Sequence, residues 1–83
     1  MSIKIYSTKT CSYCKKAKEL FNKYGAKYEE IDISENETAR EELIRKTGFQ
    51  HVPVIEIDGI IYPGFNPNKL QVIFELDSYL KIK

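Results

Sequence analysis

Between Ser7 and Ser12 the apolar spacing changes from every second residue to every third or fourth, and this switch constrains the fold more than any other feature. Ile3-Lys4-Ile5-Tyr6-Ser7 is β-rich and apolar in alternate places, which predicts a strand. From Ser12 onward Cys14, Ala17, Leu20, Phe21 and Tyr24 follow helical spacing, with Lys15, Lys16, Lys18, Glu19 and Lys23 on the polar side. Lys18 and Lys23 read as a solvated face rather than an anionic docking face. Gly25 ends the helix as a left-handed cap would. Residues 27–33 read as a second strand. A strand–helix–strand start requires a right-handed parallel crossover, so the first two strands are expected side by side and parallel.

The rest of the chain extends that unit. Ser34 stands three residues before Glu37, a capping box that opens a helix through about Lys46. Its apolar positions, Ala39, Leu43 and Ile44, are few, so it is expected to cover one sheet edge. Thr47-Gly48 stops it. The acids Glu35, Glu37, Glu41 and Glu42 gather at its start, where negative charge is favourable, and read as structural rather than metal-binding. Residues 52–57 form a strand with Pro53 near its start, where a missing N–H is tolerable. Asp58-Gly59 is a two-residue hairpin signal, and Ile60-Ile61-Tyr62 returns antiparallel. Pro63-Gly64-Phe65 is a turn. Asn66 and Pro67 are an N-cap and a first helical residue, and the last helix offers Leu70, Ile73, Phe74, Leu76 and Leu80 to the core. The order is β-α-β-α-β-β-α: an α/β chain with a four-stranded mixed sheet, three helices, and helices on both faces.

Length and charge exclude several classes of function. Eighty-three residues are enough for one domain, residues 1–83, with one thin core. A formal net charge of +1 gives no global field for nucleic acid or an anionic membrane. No apolar run nears the roughly 20 residues of a membrane span, and the N-terminus enters a strand without the apolar region of a signal peptide. The expected protein is a cytoplasmic monomer.

Both cysteines, Cys11 and Cys14, stand two residues apart where the strand gives way to the helix. In a chain without an export signal such a pair reads as redox-active. Unpaired backbone N–H groups and the helix dipole favour a thiolate there, and Lys9, Lys15 and Lys16 add positive charge. Two other readings stand beside it: a pair of buried cysteines without function, and half of a zinc site, for which the chain offers only His51 as a further nitrogen or sulfur ligand. His51 itself precedes a strand; a general-base role is conceivable, an incidental one commoner.

Taken together, the element order, Cys11-Ser12-Tyr13-Cys14 at a strand-to-helix turn, Val52-Pro53 and the late glycine turn resemble the glutaredoxins, which have the thioredoxin fold. The resemblance covers nearly the whole chain. It implies a cis bond before Pro53 and a thiol–disulfide oxidoreductase with glutathione as co-substrate. Cys11 would be the nucleophile and Cys14 the resolving thiol. Lys9, Tyr13, Val52, Pro53, Gly64, Phe65 and Asn66 would line the substrate or glutathione groove, with the Val52 backbone pairing with the substrate.

Several positions depart from that family's usual pattern. The stretch Gly64-Phe65-Asn66-Pro67-Asn68-Lys69 lacks the acidic pair that holds the γ-glutamyl end of glutathione. Thr8 stands where a basic residue is usual, with Lys9 one place later, and Phe49 replaces an arginine. Gly48-Phe49 and Gly64-Phe65-x-Pro67 are similar to redoxins that accept electrons from thioredoxin reductase and serve ribonucleotide reductase. Ser12 stands where dithiol members mostly have proline; some relatives with a small residue there hold a [2Fe–2S] cluster between two protomers, with glutathione completing the ligands, and Cys11 would ligate it.

Overall fold

The computed structural model describes the backbone of residues 1–82 and the side chains of residues 1–79. Its elements are β1 (Ile3–Ser7), α1 (Ser12–Lys23), β2 (Glu29–Asp32), α2 (Glu37–Thr47), β3 (Val54–Ile57), β4 (Ile60–Pro63) and α3 (Pro67–Ile82), the order expected from the sequence. The sheet runs β2-β1-β3-β4. β2 is parallel to β1, as the crossover requires, and the other two pairings are antiparallel. Both outer segments of the expected strands drop out: residues 27–28 precede β2, and Val52 and Pro53 precede β3. Proline cannot donate to a ladder, so pairing starts only at Val54, opposite Tyr6.

Alternation along the central strands sorts two cores. Ile3, Ile5, Ile55 and Ile57 point to one face and are covered by Ala17 and Phe21 of α1 and by Leu70 and Phe74 of α3. Phe21 stands between the rings of Tyr28 and Phe74, with centroids at 5.2 and 5.7 Å. Tyr6 and Val54 point the other way, where Ile33 and α2's Ala39 and Leu43 close over them. α2 therefore covers the second face of the sheet, not an edge. Two apolar side chains from α2 suffice because Tyr6, Ile33 and Val54 supply the rest of this small cluster, Tyr6 at 2% exposure. Burial pushes the Tyr6 phenol above its ordinary value. On the same face Glu56 is 7% exposed; its Oε1 has no hydrogen-bond partner of good geometry, and the Lys46 ammonium of α2 lies against it as an ion pair.

Two further expectations are corrected. Asn36, not Ser34, caps α2: its side chain accepts the Ala39 N–H at 3.0 Å, while the Ser34 N–H and hydroxyl both turn back to Asp32 Oδ1. Leu76 is 57% exposed rather than in the core, because two residues beyond Phe74 is about 200° around the helix. Ile73 packs partly against the core; the Leu80 side chain lies outside the described residues.

The local turn signals appear where the chain places them. Asp58 and Gly59 both take positive φ, 50° and 85°, the backbone of a type I′ hairpin. Gly48 adopts φ 77° as the C-cap of α2, returning its N–H to the Ile44 carbonyl at 2.7 Å. Asn66 Oδ1 accepts the Lys69 N–H at 3.1 Å and so caps α3.

Candidate active site

An N-cap residue has extended backbone and offers an acceptor to the N–H three places on. Cys11 fills that role for α1, with φ −84° and ψ 110° and a sulfur in the place usually held by an oxygen. Its Sγ accepts the Cys14 N–H at 3.2 Å, and its own N–H donates to the Thr8 carbonyl at 3.4 Å. The sulfur is thus fixed at the positive end of a helix while staying half-exposed.

Cys14, one turn inside, shares the inward face of α1 with Ala17 and Phe21 and is 1% exposed. Burial pushes its thiol up to about 12; its hydrogen bond with Cys11 and negative charge there add to the rise, while a backbone hydrogen bond with Thr8 and the Lys18 charge oppose it. Both residues are free thiols. One sulfur is reachable from solvent and carries an aimed N–H donor; the other is a protonated thiol beside it. Positions three apart on a helix are neighbours, so the two sulfurs can bridge with little motion.

The register brings the remaining expected residues to this end of the sheet. Tyr6 pairs with Val54, so Pro53 and Val52 run beyond β3 alongside the β1–α1 connection. Val54 also pairs with Pro63, so Gly64, Phe65 and Asn66 leave β4 at the same end. The Val52–Pro53 bond is cis, and the Pro53 carbonyl accepts the Gly64 N–H at 2.8 Å. Tyr13 is 57% exposed, yet its ring lies 6.3 Å from that of Phe65 and 5.3 Å from the Lys16 ammonium. It spans from α1 to the turn after β4. A cavity of about 210 Å³ between β4 and α3 shares Gly64 and Asn66 with this end.

Two expected binding groups have other partners. The Lys9 ammonium is paired with Glu35 at 2.7 Å. Asn66 spends its side-chain oxygen on the α3 cap. The first turn of α3 has no acid, and the Lys69 ammonium there lies 5.2 Å from the Tyr62 ring centre. His51 and Phe49 are exposed ahead of Val52.

Lys18 departs from its sequence reading as a solvated charge. It is half-buried and donates to Glu30 Oε2 at 2.7 Å, an oxygen that also accepts the Ser7 hydroxyl at 2.8 Å. The available signal was its place four residues after Cys14, on the same helix face. Glu30, in contact with Lys18 and Ser7, is held below the usual carboxylate range.

Among the described residues no three His, Cys, Asp or Glu side chains gather as metal ligands. An iron–sulfur cluster takes four ligands. With Cys14 buried, Cys11 is the one sulfur this site presents, so a cluster here would take its other ligands from a second protomer and from glutathione.

A family model described as Glutaredoxin matches residues 3–61. A glutaredoxin-like 8.6 kDa protein in the rubredoxin operon of Clostridium pasteurianum is 38% identical over 88% of this chain and 97% of its own length. Glutaredoxin 3 of Escherichia coli (strain K12) is 40% identical over 69% of each chain. Among solved structures, the glutaredoxin-like NrdH-redoxin of Escherichia coli superposes with a TM-score of 0.74 at 28% identity, over 86% of this chain and 92% of its own.

Proposed function

Because the chain belongs to the glutaredoxin family and has its thioredoxin-like fold, we propose that it is a thiol–disulfide oxidoreductase, a single domain over residues 1–83 acting as a monomer in the cytoplasm. The observation that carries this reading is the half-exposed Cys11 sulfur at the N-cap of α1, receiving the Cys14 N–H, with the Cys14 thiol buried behind it.

The chemistry follows from the two sulfurs. Cys11 as thiolate attacks one sulfur of a substrate disulfide; that S–S bond breaks, a mixed disulfide forms, and the other substrate sulfur leaves and takes up a proton. Cys14 then loses its proton and attacks Cys11 Sγ. A Cys11–Cys14 bond forms, the second substrate thiol departs, and the protein has given up two electrons. The backbone ahead of β3 at Val52 offers an edge along which an extended substrate can pair. Tyr13 and Phe65 form an aromatic wall beside it.

Glutathione is the electron donor in this reading, and glutathione mixed disulfides are substrates beside protein disulfides; similarity to glutaredoxin 3 supports it. A second reading has specific observations behind it. Lys9 is neutralised by Glu35, and the α3 start carries Lys69 in place of acids. Those features suit a redoxin reduced by thioredoxin reductase and serving ribonucleotide reductase, and the likeness to the NrdH-redoxin supports it. Turnover of a glutathionylated peptide separates the two, with glutathione and its reductase as electron source in one cell and thioredoxin reductase in the other. Turnover in the first cell establishes the glutaredoxin reading; turnover confined to the second establishes the redoxin. In either, Cys11→Ser should abolish activity. Cys14→Ser should remove reduction of protein disulfides while sparing glutathione mixed disulfides. A Cys11→Ser protein with full activity would sink the mechanism.

A further inference from the structure

Cys14 presents a difficulty for the resolving step, because a thiol held near 12 is almost wholly protonated at neutral pH. Only the thiolate attacks. The surroundings of this sulfur contain one device suited to the problem. Lys18 follows Cys14 by one helical turn on the same face of α1. Its ammonium is fastened to Glu30 Oε2 of β2, and that oxygen is fastened in turn to the Ser7 hydroxyl at the end of β1. Ser7 is 1% exposed. Three elements therefore fix one half-buried cation a helical turn from the thiol, whereas Lys15 and Lys16 on the same helix are exposed.

We propose that Lys18, held in place by Glu30 and Ser7, is the positioning residue that draws Cys14 into its thiolate form during resolution. This rests on the mechanism above, with Cys11 as nucleophile. In the reduced protein burial holds the Cys14 proton on, and the hydrogen bond and negative charge of Cys11 add to it. When Cys11 enters a mixed disulfide that charge is gone. Burial still holds the thiol up, and the influences left to oppose it are the Thr8 backbone hydrogen bond and the Lys18 charge, both of which favour the thiolate. The Cys14 proton passes to solvent, the thiolate attacks Cys11 Sγ, and the departing substrate thiolate takes up a proton. Acid–base groups acting on the cluster are Cys11 from the connection, Glu30 and Asp32 from β2, and Tyr28 just before it. Glu30 offsets part of the Lys18 charge, and its carboxylate is what keeps the ammonium from swinging into solvent.

The experiment is a stopped-flow reaction of the reduced protein with one equivalent of an aromatic disulfide whose released thiolate absorbs visible light. The first release reports attack by Cys11, the second attack by Cys14 on the mixed disulfide, and the ratio of the two rates isolates resolution. A single opposite charge nearby shifts a pKa by about one unit, the low end of the usual range, as suits an ammonium whose charge Glu30 partly offsets. Losing it cuts the thiolate about tenfold, and the greater nucleophilicity of the more basic sulfur returns about threefold of that. Lys18→Met, which keeps the packing stem, should therefore lower the ratio about three- to fourfold from about pH 6 to about pH 9. Lys18→Arg, which keeps the charge, should restore most of it. An unchanged ratio in Lys18→Met, or Lys18→Arg as slow as Lys18→Met, overturns the proposal. Failure of the underlying mechanism looks different: the first release would survive in Cys11→Ser, or the second in Cys14→Ser.

Discussion

Limited alkylation of the reduced protein should label Cys11 and leave Cys14 a thiol. The perturbation is a brief exposure to iodoacetamide at about pH 8, and the magnitude comes from where the structure puts each sulfur. Cys14 is raised from an ordinary 9.0 to about 12. An ordinary thiol would be about one-tenth ionised at that pH, Cys14 about one part in ten thousand, a thousandfold loss of thiolate. The more basic thiolate is the better nucleophile, which returns about 20- to 30-fold. The net is about a 40-fold slower reaction than an exposed cysteine would show. Burial to 1% exposure slows it further, because the reagent must reach the sulfur. Peptide mapping by mass spectrometry, with labelling stopped at intervals, reads both rates in one sample; a sample unfolded before labelling supplies the unprotected rate. Cys14 labelled in the folded protein as fast as in the unfolded one would refute the assignment of the two sulfurs. So would Cys14 labelled ahead of Cys11.

The same proton affects stability. Cys14 holds it more tightly folded than unfolded, so its contribution is complete below about pH 9 and is lost as pH climbs toward 12. Urea unfolding between about pH 9 and about pH 10 should show a shallower decline for Cys14→Ala than for the natural chain, the losses that Tyr6, Lys18 and Lys46 begin to add there being common to both; equal slopes would refute this. Lys46→Met strands the buried Glu56 carboxylate. With Lys46 39% exposed, water relieves part of that, and about 1–2 kcal/mol is expected. That lowers the melting temperature by about 4–16 °C, and Lys46→Met combined with Glu56→Leu should recover most of it. A single variant that melts with the natural chain would show that the pair contributes nothing. Asn36→Ala removes the α2 cap at about 1 kcal/mol, measured by urea unfolding, whereas Ser34→Ala should cost less. The reverse order would restore the capping box at Ser34.

Short-range chemistry makes much of this protein legible from its residues alone. The switch of period at Ser7–Ser12, the Asp58-Gly59 turn, the Asn66-Pro67 start and the glycine after each of the first two helices act within about four residues. They yield the seven elements in order. The same range explains why the Cys11–Cys14 pair could be placed at a helix start: an N-cap and its partner are three residues apart. α2 marks the limit of such signals. Ser34 and Asn36 are both competent caps, and Asp32 decided between them by occupying Ser34. Leu76 stands exposed for a related reason: an apolar residue in a helix says nothing about which side the sheet is on.

The sequence by itself thus determined the order of elements, the sulfurs at the first strand–helix junction and the family the chain joins. Only the tertiary structure decided what each sulfur and charge faces. Lys9 meets Glu35 across 26 residues, Ser7 meets Glu30 across 23, and Lys18 meets Glu30 across 12. Cys14 owes its retained proton to the core it is pressed into. No local pattern encodes these pairings, because they exist only once the parallel crossover sets β2 beside β1 and lays α1 across them. Burial and charge pairing belong to the assembled sheet, and those two quantities set two otherwise identical thiols apart.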